Sequence, residues 1–330
     1  MCLTSVGPKN QNVIEQVYIM RTNWNSMAIE PFVVVYTADS DQSKRKDADP
    51  DRVFERIVKE KPHRYIFGGD GPYAEEGKTW IKLIDKHGLR SIIKLVEGNH
   101  DCDESEDEQT EKDIEAEFDY LKKTPEINPN EDEWEKTKWI HSWQDKNAFF
   151  IVMNTQDNDM VFKRNQYNWV VKQLEFVKKK KTEGTVDWIF AIMHKPWYTL
   201  KIKSGHPPLK EMRSIFQPLF DEAEVDFVLS GHNHNFQAWL PMVHEATPKF
   251  TKNPDGIYDF SKPHGQFYFV NGAGGHEINN FKEKWNKNNK VTFADQSDFC
   301  YTLFKIDGKN CDVLTKDTKG NTLLSIKVTK

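Results

Sequence analysis

The chain is short of the features that mark several broad protein classes. Four of its 330 residues are cysteine, Cys2, Cys102, Cys300 and Cys311, and no two form a C-x-x-C pair. That argues against a zinc knuckle or a dithiol redox motif. Cys300 and Cys311 fall on two expected strands joined by Asp307-Gly308. A tight hairpin there sets them out of register, so free thiols are expected rather than a disulfide framework. No long apolar run suggests a membrane span, and the first thirty residues lack the charged-then-apolar layout of a secretory signal. The compartment stays open, with the cytoplasm favoured over a processed secreted form. Positive charge is not in surplus either. Lys and Arg number 46 against 51 Asp and Glu, a formal net charge of −5, which provides no global field for nucleic acid and disfavours a nuclease. What remains, at 37% hydrophobic and 29% charged, is a water-soluble globular chain long enough to bury a sizeable core.

Strand-like and helix-like runs then alternate. "PFVVVYTAD", "DPDRVFERIVKEK", "YIFGGD", "KTWIKLIDKHG" and "SIIKLVEGNHD" read strand, helix, strand, helix, strand, the order that right-handed crossovers turn into a largely parallel sheet. The acidic stretch "DCDESEDEQTEKDIEAEFDYL" reads as a solvated helix and "PEINPNEDEWEKTKW" as loop. "AFFIVMNT" is a buried strand, followed by the amphipathic "NQYNWVVKQLEFVKKKK", whose Lys178–Lys181 run suits a solvated helix C-terminus. "DWIFAIMH" and "VDFVLSGHNHNF" restore the strand pattern, and after residue 290 the Asp-Gly and Lys-Gly turns predict antiparallel hairpins. The expected organisation is one domain over residues 1–330, with residues 1–30 as an N-terminal extension and residues 290–330 as hairpins packed into the same domain.

In sheets of this kind ligands bind beyond the carboxyl ends of the strands. Asp39 and Asp41, Asp70, and Asn99-His100-Asp101 all sit at such ends. Asp39 and Asp41 alone read sooner as an acidic turn after a strand than as carboxylates delivered to a site. His232 and His234, two residues apart, point the same way in extended chain and suit a metal clamp; one core and one exposed histidine is the other reading. His194 precedes Pro196, which turns the chain away, and a lone histidine there is commonly structural. Taken together, these are the oxygen and nitrogen donors that hard or borderline metals prefer.

The motifs "GGDGPY", "EGNHD", "IMHKPWY" and "GHNHNF" occur in an order and spacing that resemble the calcineurin-like metallophosphoesterases, closest to the purple acid phosphatase branch, which has a tyrosine three residues after the second-motif aspartate, here Tyr73 after Asp70. The resemblance covers roughly residues 30–280. It implies an α/β fold, a four-layer α-β-β-α sandwich of two mixed sheets flanked by helices. It implies a cofactor of two ions, Fe with Zn, Mn or Fe. Asp70 would bridge them, Asp39, Tyr73 and His234 would hold the first, and Asn99, His194 and His232 the second. The family usually carries histidine or glycine two residues after the first aspartate. Asp41 stands there instead, as an added oxygen ligand or as a solvated turn residue. By resemblance, His100 binds phosphate or protonates the leaving group, with Asp101 orienting its ring.

The expected activity is phosphate-ester hydrolysis, most of all of monoesters as in an acid phosphatase, with a metal-bridging hydroxide as nucleophile. Metals about 3.5–4 Å apart share a water and lower its pKa. A phosphodiesterase or nucleotide hydrolase with the same site, and a non-catalytic metal-binding relative, are the alternatives. A small phosphate ester is the expected partner, without a membrane or nucleic acid, and oligomeric state is left open. His206 in "KSGHPPLKEMR" is a candidate substrate contact or an exposed loop residue. His276 in "GAGGHE" is expected at the surface, although the glycines before it suit close backbone approach. Trp197, Tyr198 and Trp239 could wall a cleft or serve packing.

Overall fold

Alternation of strand and helix governs the first half of the chain. In the computed structural model it runs β1 (Phe32–Thr37), α1 (Pro50–Lys59), β2 (Arg64–Phe67), α2 (Gly77–Lys86), β3 (Ile93–Leu95) and α3 (Glu108–Glu117). Next come β4 (His141–Asp145), β5 (Ala148–Val152), α4 (Met160–Thr182), β6 (Trp188–Ile192), α5 (Lys210–Ala223) and β7 (Phe227–Ser230). Among the described residues only strands follow: β8 (Phe236–Met242), β9 (Thr251–Lys252), β10 (Tyr258–Ser261), β11 (Gln266–Asn271), β12 (Val291–Asp295), β13 (Cys300–Asp307), β14 (Asn310–Asp317) and β15 (Thr322–Thr329). The structure describes residues 30–40, 48–71, 77–101, 108–118, 121, 139–156, 160–200, 206–242, 251–252, 257–261, 265–282 and 291–330. The chain divides into two units, residues 1–31 and Phe32–Lys330, and every element named here belongs to the second.

The strands form two mixed sheets, ordered β3-β2-β1-β13-β14-β15-β10-β9 and β12-β8-β11-β7-β6-β5-β4. Period-two alternation decides what each strand faces. On β6, Trp188, Phe190 and Ile192 join the core between the sheets, where Phe150, Phe227, Phe269 and Phe304 also lie. Ile189 and Ala191 instead pack with Trp169 and Leu174 of α4 and Phe216 and Phe220 of α5. On the other side, Val35, Tyr65 and Phe67 pack with Phe54 and Ile57 of α1 and Trp80 and Ile84 of α2. The result is helix, sheet, sheet, helix. Phe190 stacks on Phe150 and Phe227 at 4.9 Å and meets Phe304 edge-on at 5.2 Å. Truncating such a side chain costs about 3–5 kcal/mol.

Local signals place the helices. Asp49 caps α1 by accepting the Arg52 N–H at 3.1 Å, with Pro50 at the helix start, where its missing N–H does no harm. Two expectations need correction. The sheet is not largely parallel: β1 pairs parallel with β2 but antiparallel with β13, which the C-terminal hairpins insert beside it. The acidic helix is not purely solvated, because Ile114 on α3 and Phe118 just after it are buried against the α1–α2 side. Cys300 and Cys311 are free and buried, facing Asp317 and Ile306 rather than each other. Cys2 and Cys102 lie outside the described residues.

Candidate metal centre

Both sheets send the carboxyl ends of parallel strands to one place. Asp39 follows β1, Asp70 follows β2 and Asn99 follows β3, all in the eight-stranded sheet, while His194 follows β6 and His232 and His234 follow β7 in the other. Backbone hydrogen bonds hold these ends in register: Asp39 N–H to Gly69 O at 3.0 Å, Ser40 N–H to Asp70 O at 2.9 Å and Gly231 N–H to His194 O at 2.9 Å. Three of the strand-end residues take left-handed backbone, with φ of 59° at Asp39, 55° at Asp70 and 67° at His232. Asp and His are among the few side chains that tolerate it, at about 1–3 kcal/mol each.

The donor atoms converge. Oxygen and nitrogen atoms of Asp70, His194 and His232 all lie within 4.8 Å of one another. His194 Nε2 is 3.1 Å from Asp70 Oδ2, and His234 Nε2 is 3.4 Å from Asp39 Oδ1. Neither contact has hydrogen-bond alignment: Asp39 Oδ1, Asn99 Oδ1 and His194 Nε2 are buried without a hydrogen-bond partner among the described residues. Buried polar atoms are normally paired, so His194 Nε2, left unpaired where donors of Asp70 and His232 converge, is the pattern a cation would satisfy, and Asp39 Oδ1 and Asn99 Oδ1 at other strand ends are unpaired as well. The opposite nitrogens are already engaged, His194 Nδ1 with Gly68 O at 2.8 Å and His234 Nδ1 with Glu277 O at 3.2 Å. Those bonds fix the tautomer that leaves each Nε2 for a metal.

Electrostatics point the same way. Burial would raise the Asp70 carboxyl, but the charges of His194 and His100 outweigh it and hold Asp70 well below the usual carboxylate range. Burial would lower His194, yet Asp70 and Asp39 push it up to about 9. Burial raises Asp39 despite His194 and His234, and burial with the nearby Asp70 charge takes Asp101 up to about 7. His232 is driven down by burial and by His194. Three carboxyl groups with little solvent draw protons onto their neighbours, and cations of higher charge would meet that demand. The residues fit a metal pair in donor type, in unpaired atoms and in charge.

Around this centre lie the remaining candidates. His100 is part-buried, and its N–H reaches Asp70 Oδ1 at 2.8 Å. Asp101 spends both carboxylate oxygens on backbone: Oδ2 accepts Gly98 and Asp70 N–H at 2.7 and 2.9 Å, and Oδ1 accepts Gly71 N–H at 3.0 Å. This ties the β2 and β3 ends together. His206 is half-buried, its ring centroid 4.2 Å from that of His232. Asp41 and Tyr73 lie outside the described residues. Trp197, Tyr198 and Trp239 are packing residues: Trp197 lies against Phe216 and Phe220, and Tyr198 against Trp239 and Tyr268.

The model of the calcineurin-like phosphoesterase family matches residues 43–236, more than half of the chain. The chain belongs to the calcineurin-like phosphoesterase family. Purple acid phosphatase 21 of Arabidopsis thaliana is 24% identical to it over 230 residues, 68% of this chain and 46% of the relative. Among solved structures, a purple acid phosphatase from yellow lupin (Lupinus luteus) seeds superposes with a TM-score of 0.69 at 17% identity, covering 90% of this chain and 53% of that one. The inner membrane complex anchor of Plasmodium superposes at 0.58 with 16% identity, covering 90% and 89%. This phosphoesterase-family chain thus spans about half the length of the purple acid phosphatases it matches, and the structural likenesses show its fold. The family implies a dinuclear metal centre.

Sequence reading misplaced one residue beside this phosphoesterase-family site. His276 is 3% exposed, not at the surface, and its ring centroid lies 4.1 Å from that of His234. The signal was the glycine run before it, which lets the loop approach β1 closely: Gly274 N–H bonds Ala38 O at 2.9 Å and His276 N–H bonds Asp39 O at 3.1 Å. Among the described residues, no helix is long and apolar enough to cross a membrane.

Proposed function

We propose that this chain hydrolyses phosphate esters, monoesters above diesters, at a dinuclear metal site. The observation that carries the reading is the convergence of Asp70, His194 and His232 donor atoms within 4.8 Å, with His194 Nε2 buried and unpaired. In this reading Asp39, Tyr73 and His234 would hold one ion, with Asp41 as an added oxygen ligand, Asn99, His194 and His232 would hold the other, and Asp70 would serve both. The donor set suits Fe paired with Zn, Mn or Fe. When bound, two such ions supply Lewis acidity at the phosphoryl oxygens and a lowered pKa for water.

The protein's own groups do the rest. His206, half-buried beside His232, approaches the substrate from the loop side and binds phosphoryl oxygen. His100 hands a proton to the departing alkoxide as the phosphorus–oxygen bond breaks. Asp101 holds the Gly98–His100 turn against Asp70 through its three backbone bonds, so that the donor and the bridging carboxylate keep their spacing.

Hydrolysis of p-nitrophenyl phosphate beside bis-p-nitrophenyl phosphate, with Mn²⁺, Fe or Zn²⁺ added and Asp70→Asn as the blank, tests the proposal. Metal-dependent release that the variant lacks is the expected result, with the monoester turned over faster. No release above the blank with any metal would overturn it.

A further inference from the structure

The loop after β11, residues 272–279, touches two candidate ligands through its backbone and one through a side chain. His276 N–H bonds Asp39 O at 3.1 Å and Asn279 N–H bonds His234 O at 2.7 Å. Glu277 O lies 3.2 Å from His234 Nδ1. Gly275, at φ 129°, makes the close pass that puts His276 there, since a side chain on it would run into Pro50. The His276 ring, 3% exposed, then leans on the His234 ring at 4.1 Å between centroids with a 55° tilt. None of the ligand motifs contains His276.

An imidazole ligand needs its ring plane fixed as well as its tautomer. The Glu277 carbonyl sets the tautomer of His234, and a ring packed against the imidazole restricts its rotation about Cβ–Cγ. We propose that His276 is a positioning residue for the ion shared by Asp39 and His234, clamping the His234 ring so that Nε2 stays turned toward Asp39. The inference rests on the dinuclear reading above. It predicts an asymmetry: the loop serves one ion, while Asn99, His194 and His232 owe nothing to His276. Outer partners of ligating histidines are worth about 10–100-fold in metal affinity.

The test is a competition titration of the metal-free full chain with Zn²⁺ against a chromogenic chelator, for the parent, His276→Ala and His276→Phe. The parent should take up two ions. His276→Ala should keep one at parental affinity and bind the other about 10–100-fold more weakly, and His276→Phe, which restores a ring of similar breadth, should recover most of that loss. Far-ultraviolet circular dichroism checks folding, and His276→Asn replaces the alanine variant if the latter does not fold, with the same selective loss expected. Two ions at parental affinity in the variant, or equal weakening of both, would overturn the role of His276 with the dinuclear reading intact. Fewer than two ions in the parent would overturn that reading and this inference with it.

Discussion

The two ends of β6 and β7 carry polar clusters of opposite character. At their amino ends, Asp226 accepts the Ile189 N–H at 2.8 Å and faces Lys330 Nζ at 2.6–2.7 Å, and Asn147 Nδ2 donates to Asp187 at 2.8 Å. A cavity of about 320 Å³ opens there, lined in part by Lys181, Asp187, Asp226, Gln266 and Lys309. At their carboxyl ends, His194 and the Asp39 and Asn99 side chains opposite keep unpaired buried atoms. Asp226 and Asp187 are paired within their cluster, whereas Asp221, which also lines the cavity, keeps both carboxylate oxygens buried without a hydrogen-bond partner among the described residues. Unmet bonding therefore occurs at both ends, and what sets the carboxyl end apart is convergence: the donor atoms of Asp70, His194 and His232, from two sheets, lie within 4.8 Å of one another.

The sharpest way to break this comparison is at Asp70. Asp70→Asn keeps a side chain that tolerates left-handed backbone and should lower metal-dependent p-nitrophenyl phosphate hydrolysis by about 1,000-fold or more, since the ions supply several kcal/mol of stabilisation. Its urea midpoint in the metal-free state should stay near that of the parent. At the other end the pattern should invert. Asp226→Ala strands the Ile189 N–H and the Lys330 ammonium, and should cost about 1–3 kcal/mol in denaturant unfolding with turnover per folded molecule unchanged. A large loss of turnover there would erase the distinction between the ends.

Metal titrations across pH sharpen it further. With no ion bound, Asp70 and Asp39 hold His194 protonated up to about 9, so an ion must displace that proton. Apparent affinity should rise about tenfold per pH unit toward 9 and then level off, while Asp226→Ala leaves the slope intact. The smallest effect belongs to the rim. Lys181 pairs with Glu224 at 2.6 Å, and Glu224 is largely exposed; Lys181→Ala should change stability by about 0–1 kcal/mol.

The two sheet ends also differed in how well the sequence revealed them. His194, His232, Asp39 and Asp70 end apolar runs, so their strands could be read and their ligand character inferred from residue type. The amino-end cluster was invisible because Lys330 and Asp226 are 104 residues apart and ordinary charged residues. His276 was misjudged for a related reason. Its loop has no period and no ligand spacing, and its burial depends on β7 pairing with β11 in one sheet and on the end of β1, in the other sheet, meeting the loop after β11. The reading of a largely parallel sheet failed at β13, where a hairpin from the far end of the chain completes the pairing of β1.

By itself, the sequence determined the local terms of the structure: the alternating strands, the helices with their caps, the free cysteines out of register, and a set of oxygen and nitrogen donors at strand ends. These follow from short-range sterics and periodicity, which neighbouring residues decide among themselves. Tertiary structure alone decided which donors share a point, that Asp101 braces two strand ends through backbone amides, that His276 lies beside His234, and that Lys330 meets Asp226 at the opposite end. Those outcomes depend on contacts between residues far apart in the chain. Their energies exist only once the two sheets have packed and water has been excluded from between them.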